Sequence, residues 1–133
     1  MKKLLKREKP MATTNIVDKD GNSISASDAT VPSDRHFRGA WSLSGTTITE
    51  DLAVAKTIFK DKVREARGPL LEAEDVVYMK AMEADDSSAK AASVTKKNAL
   101  RDAPANSAIT NAANIGALKS AWDADLLGDS PYA

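Results

Sequence analysis

Four groups of side chains in this 133-residue chain have types and spacings that chemistry could use. His36 stands two residues from Asp34 in a chain rich in serine, which supplies the parts of a single-histidine catalytic triad: an imidazole, an orienting carboxylate and a hydroxyl. No Gly-x-Ser-x-Gly elbow or glycine-rich oxyanion loop accompanies it, so a surface histidine in a loop is the better reading. Asp18, Asp20 and Asn22 match the first three oxygen-ligand positions of an EF-hand loop. Position six is then Ser23 instead of glycine and position twelve is Ala29 instead of a bidentate glutamate, so a plain Asp-Gly turn fits better than a calcium site. Glu72 with Asp75, and Asp85 with Asp86, could serve as acid-base partners or magnesium ligands, but clusters of this kind are ordinarily solvated helix faces or caps.

The fourth group is basic. Lys56, Lys60, Arg64 and Arg67 recur at spacings of four, four and three, which stacks like charges on one side of a helix instead of alternating them with acids. Such a ridge needs an outside partner. The nearest candidates are Glu72, Glu74 and Asp75, on a neighbouring helix of the same subunit or another. A phosphate backbone is the lesser alternative, because four cations without interleaved aromatic residues make a poor nucleic-acid track.

Composition narrows the classes further. Without cysteine there is no disulfide, thiolate nucleophile or cysteine zinc site, and a single histidine excludes sites that need two or three. Carboxylate sites and a single-histidine triad remain, each set above against its plainer reading; on that weighing the expectation is no catalytic residue, no metal and no cofactor. Lysine plus arginine balance aspartate plus glutamate at 19 each, but Lys2, Lys3, Lys6, Arg7 and Lys9 lie in the first ten residues against Glu8 alone, leaving the remainder net acidic. That remainder would repel a nucleic-acid backbone. The opening Met-Lys-Lys-Leu-Leu-Lys resembles the start of a signal peptide, yet Arg7, Glu8, Lys9 and Pro10 follow where an apolar region belongs. Met11 offers an alternative start. No apolar run is long enough to span a membrane.

The elements that must position these groups fall into two regions. Of the 42% apolar residues, 23 are alanine, so the core is thin and one small domain is expected. Residues 1–10 form a basic tail. Residues 11–49 lack a helical period and read as an extended arm with one or two short hairpins. One pairs Ile16-Val17 with Ser23-Ile24 around Asp20-Gly21; the other sets Trp41 and Leu43 against Ile48 around Ser44-Gly45. Residues 50–128 read as a small antiparallel module of three to four helices, making the fold mainly α, with 129–133 a C-terminal tail.

Within the module, a first helix is predicted over 50–67, opened by a Thr47/Glu50 capping box and striped by Leu52, Ala55, Phe59, Val63 and Ala66. Gly68-Pro69 should break or kink it. A second helix over 70–84 carries Leu70, Val77 and Ala81 on one face and Leu71, Tyr78 and Met82 on the next, and should be the most buried element. Asp85 to Ser88 then cap a third helix over 89–102, whose apolar face is alanine with Val94 and Leu100, ended by Ala103-Pro104. After a short helical turn expected over 107–112, Asn114 caps a last helix carrying Ile115, Leu118, Trp122 and Leu126. That stripe fits core better than an exposed groove-binding face, and Gly128 sits where a C′ glycine belongs.

Taken together, Pro32-Ser33-Asp34-Arg35-His36-Phe37-Arg38-Gly39-Ala40-Trp41, Arg64-Glu65-Ala66-Arg67-Gly68-Pro69-Leu70-Leu71, Lys80-Ala81-Met82-Glu83 and Ala99-Leu100-Arg101-Asp102 resemble a pattern found in small tailed-bacteriophage proteins of the tail-fibre assembly or minor virion type. The resemblance covers residues 31 to about 127. It implies a non-enzymatic structural protein of the tail or tail fibre, present in the virion and, during assembly, in the host cytoplasm. It also implies contacts with other phage structural proteins, and no membrane. Symmetric phage substructures suggest several copies or a homo-oligomer. A tail-fibre assembly chaperone absent from the mature particle is the alternative. On the structural reading, the arm residues Ile16, Val17, Phe37 and Trp41 are expected to bury in a neighbouring subunit, since an arm with so few apolar anchors gains its order on binding. The ridge of Lys56, Lys60, Arg64 and Arg67 supplies a second contact.

Overall fold

A computed structural model describes residues 14–132. The basic tail over 1–10 and the alternative start at Met11 lie outside the described residues. The chain is mainly helical, with two small antiparallel strand pairs ahead of the helices. It divides into two compact units, one ending at Ala55 and the other beginning at Lys56.

Both hairpins of the first unit form, although in the second only Leu43 faces Ile48 and Trp41 does not. Strands β1 (Asn15–Val17) and β2 (Ser23–Ser25) pair with Ile16 opposite Ile24. Strands β3 (Trp41–Ser44) and β4 (Thr47–Glu50) pair with Leu43 opposite Ile48 and Trp41 opposite Glu50. Gly45 turns the second hairpin at φ +63°, a left-handed conformation that a side chain would resist. The hairpins are tied together: the Lys19 amide donates to the Trp41 carbonyl at 3.0 Å, and the Leu43 amide donates to Asp18 Oδ2 at 2.8 Å. Thr30 joins the edge of β4, accepting from the Ile48 amide and donating to the Thr46 carbonyl, each at 2.8 Å.

Helix α1 runs unbroken over Leu52–Glu83. Two expectations fail here. Thr47 and Glu50 belong to β4, and Asp51 takes the capping role instead, accepting from the amides of Ala53 and Val54. Gly68-Pro69 does not divide the helix. Pro69 lies on an exposed position, so the Glu65 carbonyl that loses its amide partner stays within reach of water. Gly68 also lacks the Cβ that would clash with the proline ring. Buried positions lie on both sides of the proline, Phe59 and Val63 before it and Glu74 and Ala81 after it, so the helix carries through at the ~3 kcal/mol that an interior proline costs.

Helix α2 (Ser87–Asp102) is capped by Asp86, which accepts from the Ala89 amide. It returns antiparallel to α1: Ser93 Oγ donates to the Glu74 carbonyl, Lys97 pairs with Asp75 at 2.6 Å, and Arg67 reaches the last carbonyls of α2. Its buried positions are Ser93 and Leu100, while Val94 is exposed. A 3-10 turn over Ala103–Ala105 ends it, as Ala103-Pro104 suggests.

Three short helices follow: α3 (Ser107–Thr110), α4 (Ile115–Ser120) and α5 (Ala124–Leu127). Asn114 caps α4 as expected, accepting from the Ala117 amide. The single last helix becomes two, because Asp123 sits extended and accepts from the Leu126 amide, starting α5 afresh. Of the expected stripe, Leu118 and Trp122 are core and Ile115 and Leu126 are half-buried, while the restart at Asp123 turns Leu127 inward instead. Tyr132 is buried too, stacked on Phe59 at 5.4 Å between ring centres and edge-on to Trp122 at 6.2 Å, while Phe59 and Trp122 meet edge-to-face at 5.9 Å. The segment 129–133 is therefore no loose tail at Tyr132. Aromatic packing of this kind adds roughly 0.5–1.5 kcal/mol per pair beyond burial.

Candidate functional site

The expected docking residues of the arm are placed differently from one another. Phe37 and Trp41 are completely or almost completely buried within the chain itself. Ile16 is half-buried, and Val17 is exposed. Of the four, Val17 is the exposed one, and Phe37 and Trp41 are the two already spent on the chain's own core. The physical reason lies in the hydrogen bonds between hairpins, which order the arm without a neighbour, and in the ~1.5–3 kcal/mol gained by burying each large apolar side chain. The Pro32 to Trp41 motif is correspondingly structural. Arg35 and Arg38 lie over the Trp41 ring at 5.8 and 5.6 Å, cation–π contacts that use both arginines of the motif.

The two catalytic or metal-like patterns settle into local structure. Asp34 Oδ1 accepts from the His36 amide and lies 2.9 Å from His36 Nδ1, which closes a local Asx turn around the imidazole. Asp18 is buried and accepts from the amides of Asp20, Asn22 and Leu43 and from Asn22 Nδ2. The Leu43 amide, foremost among these donors, holds the carboxyl down to about 2 against the opposing effect of burial. Its oxygens are thus occupied by N–H donors in the turn. Among the described residues, no group of three or more histidine, aspartate or glutamate side chains is placed to hold a metal ion. Asp85 is exposed with a positive φ of 51°, and Asp86 is the α2 cap. Glu72 is exposed, whereas Glu74 is buried and lies 3.8 Å from Lys96.

The basic ridge is present, but its expected intramolecular partners are not the ones that meet it. With α1 continuous, Glu72, Glu74 and Asp75 lie further along the same helix and cannot fold back; Glu74 and Asp75 face Lys96 and Lys97 of α2 instead. Lys56 Nζ donates to the Thr110 carbonyl at 2.8 Å. Arg64 pairs with Asp61 one turn earlier at 2.9 Å, a solvent-exposed pair worth at most about 1 kcal/mol. Arg67 donates to the carbonyls of Arg101 at 2.7 Å and Leu100 at 3.5 Å, answering the negative end of the α2 dipole. Lys60, Arg64 and Arg67 then line one pocket of about 300 Å³ with Arg101, Pro104 and Ala105. Arg101 escaped the sequence reading. Its position in the last turn of α2 is an ordinary place for a cation, and only antiparallel packing brings it to the ridge.

The second half of α1 is the larger surprise. Expected to be the most buried element, it carries buried residues only at Glu74 and Ala81 between 70 and 83. One helix, α2, packs along it, and one neighbour covers one stripe. Val76, Met79 and Met82 are each more than half exposed, and Val77 and Val94 are nearly so. Large apolar side chains grouped this way mark a contact surface more often than scattered single ones do. A separate cleft of about 260 Å³, lined by residues including Lys62, Glu65, Trp122 and Leu127, opens beside the aromatic cluster. Among the described residues, no helix is long and apolar enough to cross a membrane. No family model, curated protein or solved structure matches this chain.

Proposed function

We propose that this chain is a non-enzymatic, protein-binding component of a tailed-bacteriophage particle, associated with the tail or tail fibre and present in several copies. The observation that carries the protein-binding part is the exposed row of Val76, Met79 and Met82, spaced by three along α1. Leaving three large apolar side chains in water forgoes stabilisation that a second protein surface would supply. The phage assignment rests on the resemblance carried by the Pro32 to Trp41, Arg64 to Leu71, Lys80 to Glu83 and Ala99 to Asp102 segments.

The second reading is an assembly chaperone that leaves before the particle matures. Met79 and Met82 favour it, because flexible, polarisable thioethers adapt to varied apolar partners.

Mass spectrometry of purified particles separates the two. A stable component in several copies supports the structural reading. A chain absent from particles whose fibres nevertheless fail to assemble without it supports the chaperone. Replacing Val76, Met79 and Met82 together by serine should abolish incorporation or assembly while circular dichroism stays unchanged. Full function in that variant would refute protein binding through this face.

A further inference from the structure

We propose that the pocket lined by Lys60, Arg64, Arg67, Arg101, Pro104 and Ala105 binds a carboxylate-bearing, acidic segment of a partner protein. This deepens the protein-binding reading and rests on it, giving one contact its chemistry. Three separate segments deliver the lining: α1 supplies three cations, the last turn of α2 supplies Arg101, and the 3-10 turn supplies Pro104 and Ala105. Among the described residues, no carboxylate lines the pocket.

The charges inside it are only partly answered by the protein. Arg67 donates from Nη1 to the final carbonyls of α2, and Arg64 is partly neutralised by Asp61. Arg101 donates to Asn98 Oδ1, a neutral acceptor that leaves its charge intact. Lys60 makes no hydrogen bond or ion pair among the described residues, and together with Arg101 it leaves the pocket short of negative charge. Arginine forks match a carboxylate in two parallel hydrogen bonds, and Pro104 and Ala105 provide an apolar floor for the aliphatic stem of a glutamate.

Nucleic acid fits the same pocket less well. Among the described residues, no aromatic side chain lines it for base stacking. The neighbouring cations do not extend it into a track: Lys62 pairs with Glu65, and Lys96 and Lys97 with Glu74 and Asp75.

The test uses the full chain and a fluorescein-labelled poly-glutamate peptide followed by fluorescence anisotropy, with a single-stranded oligonucleotide of equal charge as the competing probe. Saturable peptide binding is expected, weakening with added salt, falling about tenfold or more in Arg101→Glu and in Lys60→Glu, and surviving serine replacement of Val76, Met79 and Met82. Should Arg101→Glu lose helicity, Lys60→Glu carries the test alone. Absence of peptide binding, binding indifferent to both reversals, or tighter binding of the oligonucleotide overturns the proposal. Self-association by light scattering that disappears in Lys60→Glu would assign the pocket to a second copy and overturn it as well. A chain missing from particles that still binds the peptide would sink the particle-component reading alone. A chain present in particles that ignores the peptide would sink only this site.

Discussion

Arg67 of α1 donates from its guanidinium to the main-chain carbonyl of Arg101, 2.7 Å away, so a cation of the basic ridge closes the C-terminal end of α2. The same bond fixes where the α1–α2 hairpin ends and sets Arg101 beside Lys60 and Arg64 in one pocket.

Replacing Arg67 by alanine should therefore destabilise the protein by about 1–2 kcal/mol, since charge-assisted bonds to carbonyls are stronger than neutral ones. Urea unfolding followed by circular dichroism measures this. Replacing Arg64, whose ion pair with Asp61 is exposed, should cost less than about 1 kcal/mol. Equal losses in the two variants would contradict the capping role of Arg67.

Pro69 interrupts the hydrogen bonding of a helix that nonetheless continues through it. Pro69→Ala should restore the missing amide and raise stability by about 1–3 kcal/mol, seen as a higher thermal midpoint. A lower midpoint would mean that the proline is required by the α1 geometry.

Asp18 links the two hairpins through the Leu43 amide and has its carboxyl held down at about 2, below the ordinary 3.8. A folded-state value below the unfolded one means that the unfolded chain binds the proton first as the medium becomes acidic. Asp18 thus contributes stability above pH 3.8 that is lost as the pH falls through about 2. Asp18→Asn should flatten that part of the acid-unfolding profile. The profiles of the two proteins would coincide if the carboxylate played no part.

Tyr132 gives the mirror case at the alkaline end. Burial, aided by the charge of Glu65, pushes its phenol up to about 12 from 10.0. The unfolded chain loses this proton first as pH rises, so the contribution is present below pH 10.0 and is lost by about pH 12. Tyr132→Phe keeps the ring stacked on Phe59 and should remove that loss. Ultraviolet titration of the phenols alongside unfolding curves provides the check, and an ordinary titration of Tyr132 would refute its burial.

Much of the fold could be read locally. Alternation around Ser44-Gly45 places Leu43 opposite Ile48, Asp86 and Asn114 cap the helices that follow them, and the Leu118–Trp122 stripe is core, because turns, caps and amphipathic faces are decided by residues a few positions apart. Gly68-Pro69 misled for the same reason: local propensity argues for a break, yet α1 runs through it with Pro69 on an exposed position. The ridge of Lys56, Lys60, Arg64 and Arg67 was legible from spacing alone. Its partners were not, since Thr110, Leu100 and Arg101 reach it only through chain reversals whose geometry no local pattern contains. Burial was decided the same way. Phe37, Trp41 and Tyr132 turn inward and Val76, Met79 and Met82 stay outside because burial depends on how many neighbours an element acquires. The sequence by itself determined which residues could be apolar, charged or capping; tertiary packing alone decided which apolar residues are covered and which cations converge.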